Sequence, residues 1–161
     1  MVNRVMDAGD LEQYVREAGI PAEVVRMAVE TPTVSAAATA VNASVDQIVK
    51  SLLFLVDETP LLVVANGETR VAYKRLADYL GVSRRRVKLA NAAQVREILG
   101  YEVGAVPPFG HKTPVRTLVE AGVLAQEVVY AGGGGMNALV RLRVAELLRV
   151  IGGETANLAQ E

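Results

Sequence analysis

Cysteine and tryptophan are absent from this 161-residue chain, and histidine occurs once, at His111. Without cysteine there are no disulfides, no thiol nucleophile and no thiolate metal site, and one imidazole is too few for an ordinary zinc centre. Aromatic residues make up only 4% of the chain, which leaves few platforms for base stacking. No apolar run reaches the roughly 18 residues that span a bilayer, since Lys50 precedes the best stretch, Ser51–Val56, and Asp57, Glu58 and Pro60 follow it. Asp7, Asp10 and Glu12 stand where a signal peptide would carry basic and apolar residues. What is present is a core-rich composition, 51% hydrophobic with 22% charged residues and a mean hydropathy of +0.26. It predicts a cytoplasmic, soluble, single domain over 1–161, with 1–30 as an N-terminal helical and connecting segment and 31–161 as the core. No metal, cofactor or membrane is expected.

The formal net charge of -1 hides an asymmetry. Residues 1–69 carry 4 basic against 10 acidic side chains, whereas residues 70–116 carry 10 basic against 3 acidic. The basic stretch holds Arg70, Lys74, Arg75, Arg84, Arg85, Arg86 and Lys88 close together. A solvated face explains such a stretch, and so does a partner with a phosphate backbone, which binds by releasing counterions.

Hydrophobic period and punctuation predict a helix over Asp10–Gly19, a strand-like stretch over Val24–Val29, and a short helix over Ala36–Val41 capped by Ser35. Ser44 introduces helical Val45–Val49. Apolar runs then predict an antiparallel meander of Ser51–Val56, Leu61–Ala65 and Thr69–Tyr73, with turns at Asp57-Glu-Thr-Pro60 and at Asn66-Gly67, the latter the strongest short hairpin signal. Helices follow at Lys74–Leu80 and Asn91–Leu99, each ended by glycine, with a strand at Arg86–Leu89 between them. Further strands are expected at Thr117–Val119, Glu127–Ala131 and Ala138–Leu142, then a helix over Val144–Ile151. The fold class is α+β: one curled, barrel-like mixed sheet of about six or seven strands, surrounded by helices.

Four features carry possible chemistry. Lys50 enters an apolar strand and needs an anion, a carbonyl or an outward path for its ammonium, with Asp46 as a neighbouring partner. The loop Gly104-Ala-Val-Pro-Pro-Phe-Gly110 is stiffened by Pro107 and Pro108. Gly132–Gly135 is either a cradle of backbone amides for an anion or a hairpin tip, and it lacks the helix that follows a dinucleotide fingerprint. His111 is a general base or a polar structural residue, with no serine or cysteine beside it.

Taken in order and spacing, Gln47-Ile-Val-Lys-Ser-Leu52, Gly100-Tyr-Glu-Val-Gly-Ala-Val-Pro-Pro-Phe-Gly-His-Lys112 and Val129-Tyr-Ala-Gly-Gly-Gly-Gly135 resemble the YbaK family, free-standing relatives of the editing domain inserted in bacterial prolyl-tRNA synthetases. The resemblance runs from about Thr31 to Glu161. It implies a trans-editing deacylase that hydrolyses the ester of a transfer RNA mischarged with a small amino acid such as Ala, Cys or Ser. It makes Lys50, Gly104 and Pro108 the expected catalytic set. Ala105, Val106, Pro107, Phe109, Gly110, His111, Gly132, Gly133 and Gly134 are the expected substrate contacts. The expected partners are the tRNA acceptor end and an aminoacyl-tRNA synthetase, with monomer and homodimer both open. The chain departs from the family where Pro107 replaces a frequent Ser or Thr, where Ala105 replaces a frequent Gly, and where the Ala36–Ala40 helix lacks a Glu. Those departures keep two alternatives in play: a non-catalytic tRNA- or synthetase-binding module of the same fold, and a nucleotide-binding protein that uses the glycine loop for phosphate.

Overall fold

The computed structural model of the protein describes residues 4–161; residues 1–3 of the expected N-terminal segment lie outside the described residues. Helix α1 spans Ala8–Ala18, starting at a capping box in which Asp7 and Asp10 satisfy each other's backbone amides, and ending on Gly19 at φ 65°. Strand β1 follows at Ala22–Arg26. Helix α2, Val34–Ala40, is capped by Thr33 rather than by Ser35, because the Thr33 hydroxyl accepts from the Ala36 amide. A 3₁₀ turn at Val45–Gln47 leads into β2 (Val49–Val56) and β3 (Thr59–Asn66).

The expected meander breaks after β3. Its tight turn is at Asp57 and Glu58, which take φ of 50° and 71° and so form the positive-φ pair that the twist of a two-residue hairpin requires. The Asn66-Gly67 signal forms no hairpin: the Gly67 amide instead donates to the Ile48 carbonyl at 2.7 Å. Thr69–Tyr73 is not a strand either. Arg70 and Ala72 pair with the C-terminal residues Gln160 and Leu158, and Tyr73 already opens α3 (Tyr73–Leu80).

A 3₁₀ turn at Arg84–Arg86 feeds β4 (Val87–Leu89), and α4 (Ala92–Leu99) has the expected Asn91 cap and Gly100 stop. Strand β5 (Arg116–Glu120), a 3₁₀ turn at Ala121–Ala125, β6 (Val128–Gly132), β7 (Ala138–Arg143), α5 (Val144–Ile151) and β8 (Thr155–Ala156) complete the chain.

The architecture is α+β, but the barrel-like single sheet is not what forms. Five strands in the order β4-β2-β3-β5-β8 make one sheet, and three in the order β1-β7-β6 make another. Closure would need a ladder between β2 and β6. Among the described residues only Ile48 bridges Tyr130 there, and the 3₁₀ turn before β2 occupies the seam, where the Gln47 side-chain amide donates to the Val128 carbonyl at 3.2 Å. The principal core lies between the sheets, where Val49, Val64 and Val119 meet Val129, Val140 and Leu142, with Leu11 of α1 and Leu147 of α5 closing its ends. On the other face of the large sheet, Phe54, Leu61 and Val63 pack on Leu76 and Ala77 of α3.

Candidate functional site

Alternation along β2 decides what each side chain meets. Val49, Ser51 and Leu53 face the inner side, while Lys50, Leu52 and Phe54 face α3. Lys50 therefore points into a groove of about 580 Å³ that it shares with Leu52, Phe54, Arg70, Tyr73 and Arg84. Among the described residues no carboxylate lies within salt-bridge distance of Lys50, Arg70 or Arg84, while Lys74 at the same groove is held by Asp78 at 3.2 Å. Asp46 is not a partner of Lys50. Burial, and then the nearby Arg70 charge, push the Lys50 ammonium below the ordinary lysine value. An anion in the groove would relieve both effects.

On the inner side, Ser51, Leu53, Val95, Leu99, Gly104 and Val106 line a small pocket of about 80 Å³. The pocket and the groove share Leu52 and Leu89, so they adjoin at the margin of β2 beyond its pairing with β4. Ser51 Oγ is buried with no hydrogen-bond partner among the described residues. Sequence reasoning passed over this serine. The available signal was a hydroxyl alternating with Lys50 in an otherwise apolar run.

The two glycine loops are brought together. Gly134 donates its amide to the Ala105 carbonyl at 2.9 Å, and a Cβ on Gly132 would stand 2.2 Å from the Val106 carbonyl oxygen, so only glycine permits the approach. The amides of Ala105, Gly133 and Gly134 are consumed within the protein by Glu102, Ala138 and Ala105. Gly104 and Val106 keep amides without a protein acceptor among the described residues, and both line the small pocket. Ala105 through Phe109 are buried. Pro108, Phe109, Gly110 and His111 turn away from that pocket, toward Tyr14 of α1 and Val150 and Ile151 of α5. The Phe109 and Tyr14 rings stack at 6.0 Å, and His111 Nε2 donates to the Pro107 carbonyl at 2.7 Å. Burial pushes the His111 pKa down, consistent with a neutral ring that braces the loop. Lys50 and the Pro108–His111 segment thus stand in different depressions.

Of the basic stretch, Arg75, Arg86, Arg96 and Arg116 are paired with Glu161, Asp57, Glu102 and Glu154. Arg70, Arg84, Arg85, Lys88 and Lys112 have no carboxylate partner among the described residues. Arg85 and Lys88 line a depression that adjoins the Lys50 groove at Leu89. No described helix is long and apolar enough to cross a membrane.

The structure is an α+β domain in which a groove holding Lys50, Arg70 and Arg84 adjoins a small, mostly apolar pocket. The chain belongs to the aminoacyl-tRNA editing domain family, whose profile matches residues 28–150. It is similar over most of its length to a crystal structure of a protein proposed as a trans-editing enzyme for prolyl tRNA synthetase, at 32% identity and a TM-score of 0.89, covering 96% of this chain and 97% of that one. It is 26% identical over 126 residues to the uncharacterized protein YwhH of Bacillus subtilis, 78% of each chain. It is also 27% identical over 95 residues to the proline–tRNA ligase of Lactiplantibacillus plantarum, where the match takes 57% of this chain and only 16% of the ligase. These relationships support an editing role in translation fidelity.

Proposed function

We propose that the protein is a free-standing deacylase that hydrolyses the ester between a mischarged small amino acid, Ala, Cys or Ser, and the 3′ end of a transfer RNA. The observation that carries this reading is the adjacency of the cationic groove at Lys50 to the pocket at Ser51, Gly104 and Val106. The pocket volume of about 80 Å³ suits a small side chain and excludes a bulky one. Lys50 and Arg70 take the terminal phosphate, and the unpaired Gly104 and Val106 amides donate hydrogen bonds to the oxyanion that develops at the ester carbonyl. Water attacks the carbonyl carbon, the acyl C–O bond breaks, and the ribose hydroxyl leaves with a proton. A positioned water and oxyanion donors suffice for so activated an ester, with no thiol or serine triad.

Pro107 favours one second reading, recognition of aminoacylated RNA without turnover, because the hydroxyl frequent at this position in the family is missing. Its carbonyl is spent on His111, and its ring is buried. The test is deacylation of alanyl-, cysteinyl- and seryl-tRNA, each on proline and cognate tRNAs, by wild type and by Lys50→Ala. The deacylase reading requires turnover of at least one species and its loss in the variant. Full turnover by Lys50→Ala removes Lys50 from the mechanism, and binding without turnover of any species selects the second reading.

A further inference from the structure

The groove around Lys50 has a feature that phosphate binding does not need. The Arg84 guanidinium carbon lies 4.3 Å from the centroid of the Tyr73 ring, so the two groups are in van der Waals contact. The Tyr73 ring also meets Phe54 in a T-shaped contact at 5.4 Å and 84°. Arg84 comes from the 3₁₀ turn that follows α3, reaches back over the first residue of that helix, and has no carboxylate partner among the described residues. Arg84 is an exposed residue, and its Nη1 donates to the Val87 carbonyl at 3.4 Å. The groove, at about 580 Å³, has room for a whole nucleotide, and Lys50 and Arg70 supply its phosphate charge.

We propose that Arg84, held on Tyr73, is the stacking platform for the base of a 5′-phosphorylated nucleoside whose phosphate is taken by Lys50 and Arg70. This deepens the editing reading and rests on it for the identity of the natural ligand, the last nucleotide of the RNA. The chemistry is that of single-strand recognition. A planar cation offers its face to any base, and a purine gains more than a pyrimidine because its surface is larger. In a chain with no tryptophan and 4% aromatic residues, an arginine carried on a tyrosine performs the task usually given to an exposed ring. The platform also gives the basic stretch a division of labour: Arg84 contacts a base, while Arg85 and Lys88 lie beyond Leu89 along the phosphate path.

The experiment compares AMP with ribose 5-phosphate by NMR titration at low salt, using wild type, Arg84→Lys and Tyr73→Leu, with folding of each checked by circular dichroism. The two probes carry the same phosphate and differ in the base. Wild type binds AMP about fivefold or more tightly than ribose 5-phosphate. Arg84→Lys keeps the charge but not the plane, so it retains ribose 5-phosphate affinity and loses the preference for AMP. Tyr73→Leu moves AMP in the same direction by releasing the guanidinium. Equal affinity for the two probes in wild type, no binding of either probe, or a preference for AMP that survives Arg84→Lys overturns the proposal. The readout is independent of turnover. A failure here alongside active deacylation removes the platform and leaves the editing reading, whereas a base preference with no deacylation of any tRNA does the reverse.

Discussion

Gly132→Ala isolates the contact between the two glycine loops. The added methyl would stand 2.2 Å from the Val106 carbonyl oxygen, 2.7 Å from its carbon and 3.0 Å from the Ala105 carbonyl carbon, all backbone atoms that no rotamer change can move. Relief requires the 105–106 segment to retreat by about an ångström, since unstrained contacts lie well beyond 3 Å. That segment is buried, and the Ala105 carbonyl accepts the Gly134 amide at 2.9 Å, so the retreat stretches a buried hydrogen bond while it opens the packing of Val106. Overpacking costs about 1–3 kcal/mol and the weakened hydrogen bond about 1 kcal/mol more, for a total of about 2–4 kcal/mol. In a domain of this size, that lowers the melting temperature by about 5–15 °C.

Gly135→Ala is the matched control. A Cβ there meets only Asn137 Oδ1 at 3.5 Å, with no positive φ to strain, so its stability stays within about 0.5 kcal/mol of wild type. Urea unfolding followed by circular dichroism, with thermal melts, measures both variants. A Gly132→Ala protein melting within about 2 °C of wild type, or a Gly135→Ala protein equally damaged, would refute the claim that the 104–110 loop is set by backbone contact with Gly132. Where Gly132→Ala folds, the retreat also moves Gly104 and Val106, so deacylation falls in kcat more than in KM.

Three further predictions test other parts of the molecule. Glu120→Ala strands the Gly122 and Leu158 amides, which donate to its carboxylate at 2.8 and 3.0 Å; it should cost about 2–4 kcal/mol and speed hydrogen exchange at Leu158, and unchanged exchange there would refute the clamp. Glu58→Gly removes an L-residue from φ 71° at an exposed turn; the relief of about 1–2 kcal/mol exceeds the entropy that glycine adds to the unfolded chain, so the urea midpoint should rise, and a fall would refute the strain. His111 has a folded pKa below its unfolded value of about 6.5, so its contribution to stability is complete above that pH and is lost as pH falls through the folded value; as the sole histidine it gives one imidazole NMR titration, and a midpoint at or above 6.5 would contradict the half-buried neutral ring.

The parts of this fold legible in the sequence are those governed by local rules. α4 runs from its Asn91 cap to the Gly100 stop, and α5 has the predicted bounds, because capping and helical period are properties of neighbouring residues. Of the two turns expected in the meander, the one at Asp57–Pro60 forms the β2–β3 hairpin, and the one at Asn66-Gly67 does not, because turn propensity is weaker than pairing. β2 and β3 stay in register from Val49↔Asn66 to Val56↔Thr59, and that ladder holds Glu58 at positive φ although it does not favour it, beside Asp57, which tolerates it. The Asn66-Gly67 pair is instead drawn to Ile48 by a backbone hydrogen bond from across the hairpin.

The same division governs the site. Lys50 and the glycine loops stand out by residue type, but which side of β2 each occupies depends on strand phase, and a shift of one residue would exchange Lys50 with Ser51. The phase is fixed by Val49 entering the core between the sheets, Leu53 packing with Val95 and Leu99 of α4, and Phe54 entering the α3 face. Arg84 was visible only as one charge in a basic run. Its special position comes from Tyr73, eleven positions earlier, being carried to the same groove by α3 and Gly81. Within a run of like charges, the cations left without a carboxylate after folding are the ones available to a ligand. Here folding pairs Arg75, Arg86, Arg96 and Arg116 with carboxylates, leaves Arg70 and Arg84 at the Lys50 groove and Arg85 and Lys88 at the adjoining depression, and sets the unpaired Lys112 apart from both, so the selection is made by tertiary structure from a stretch that looks uniform in one dimension.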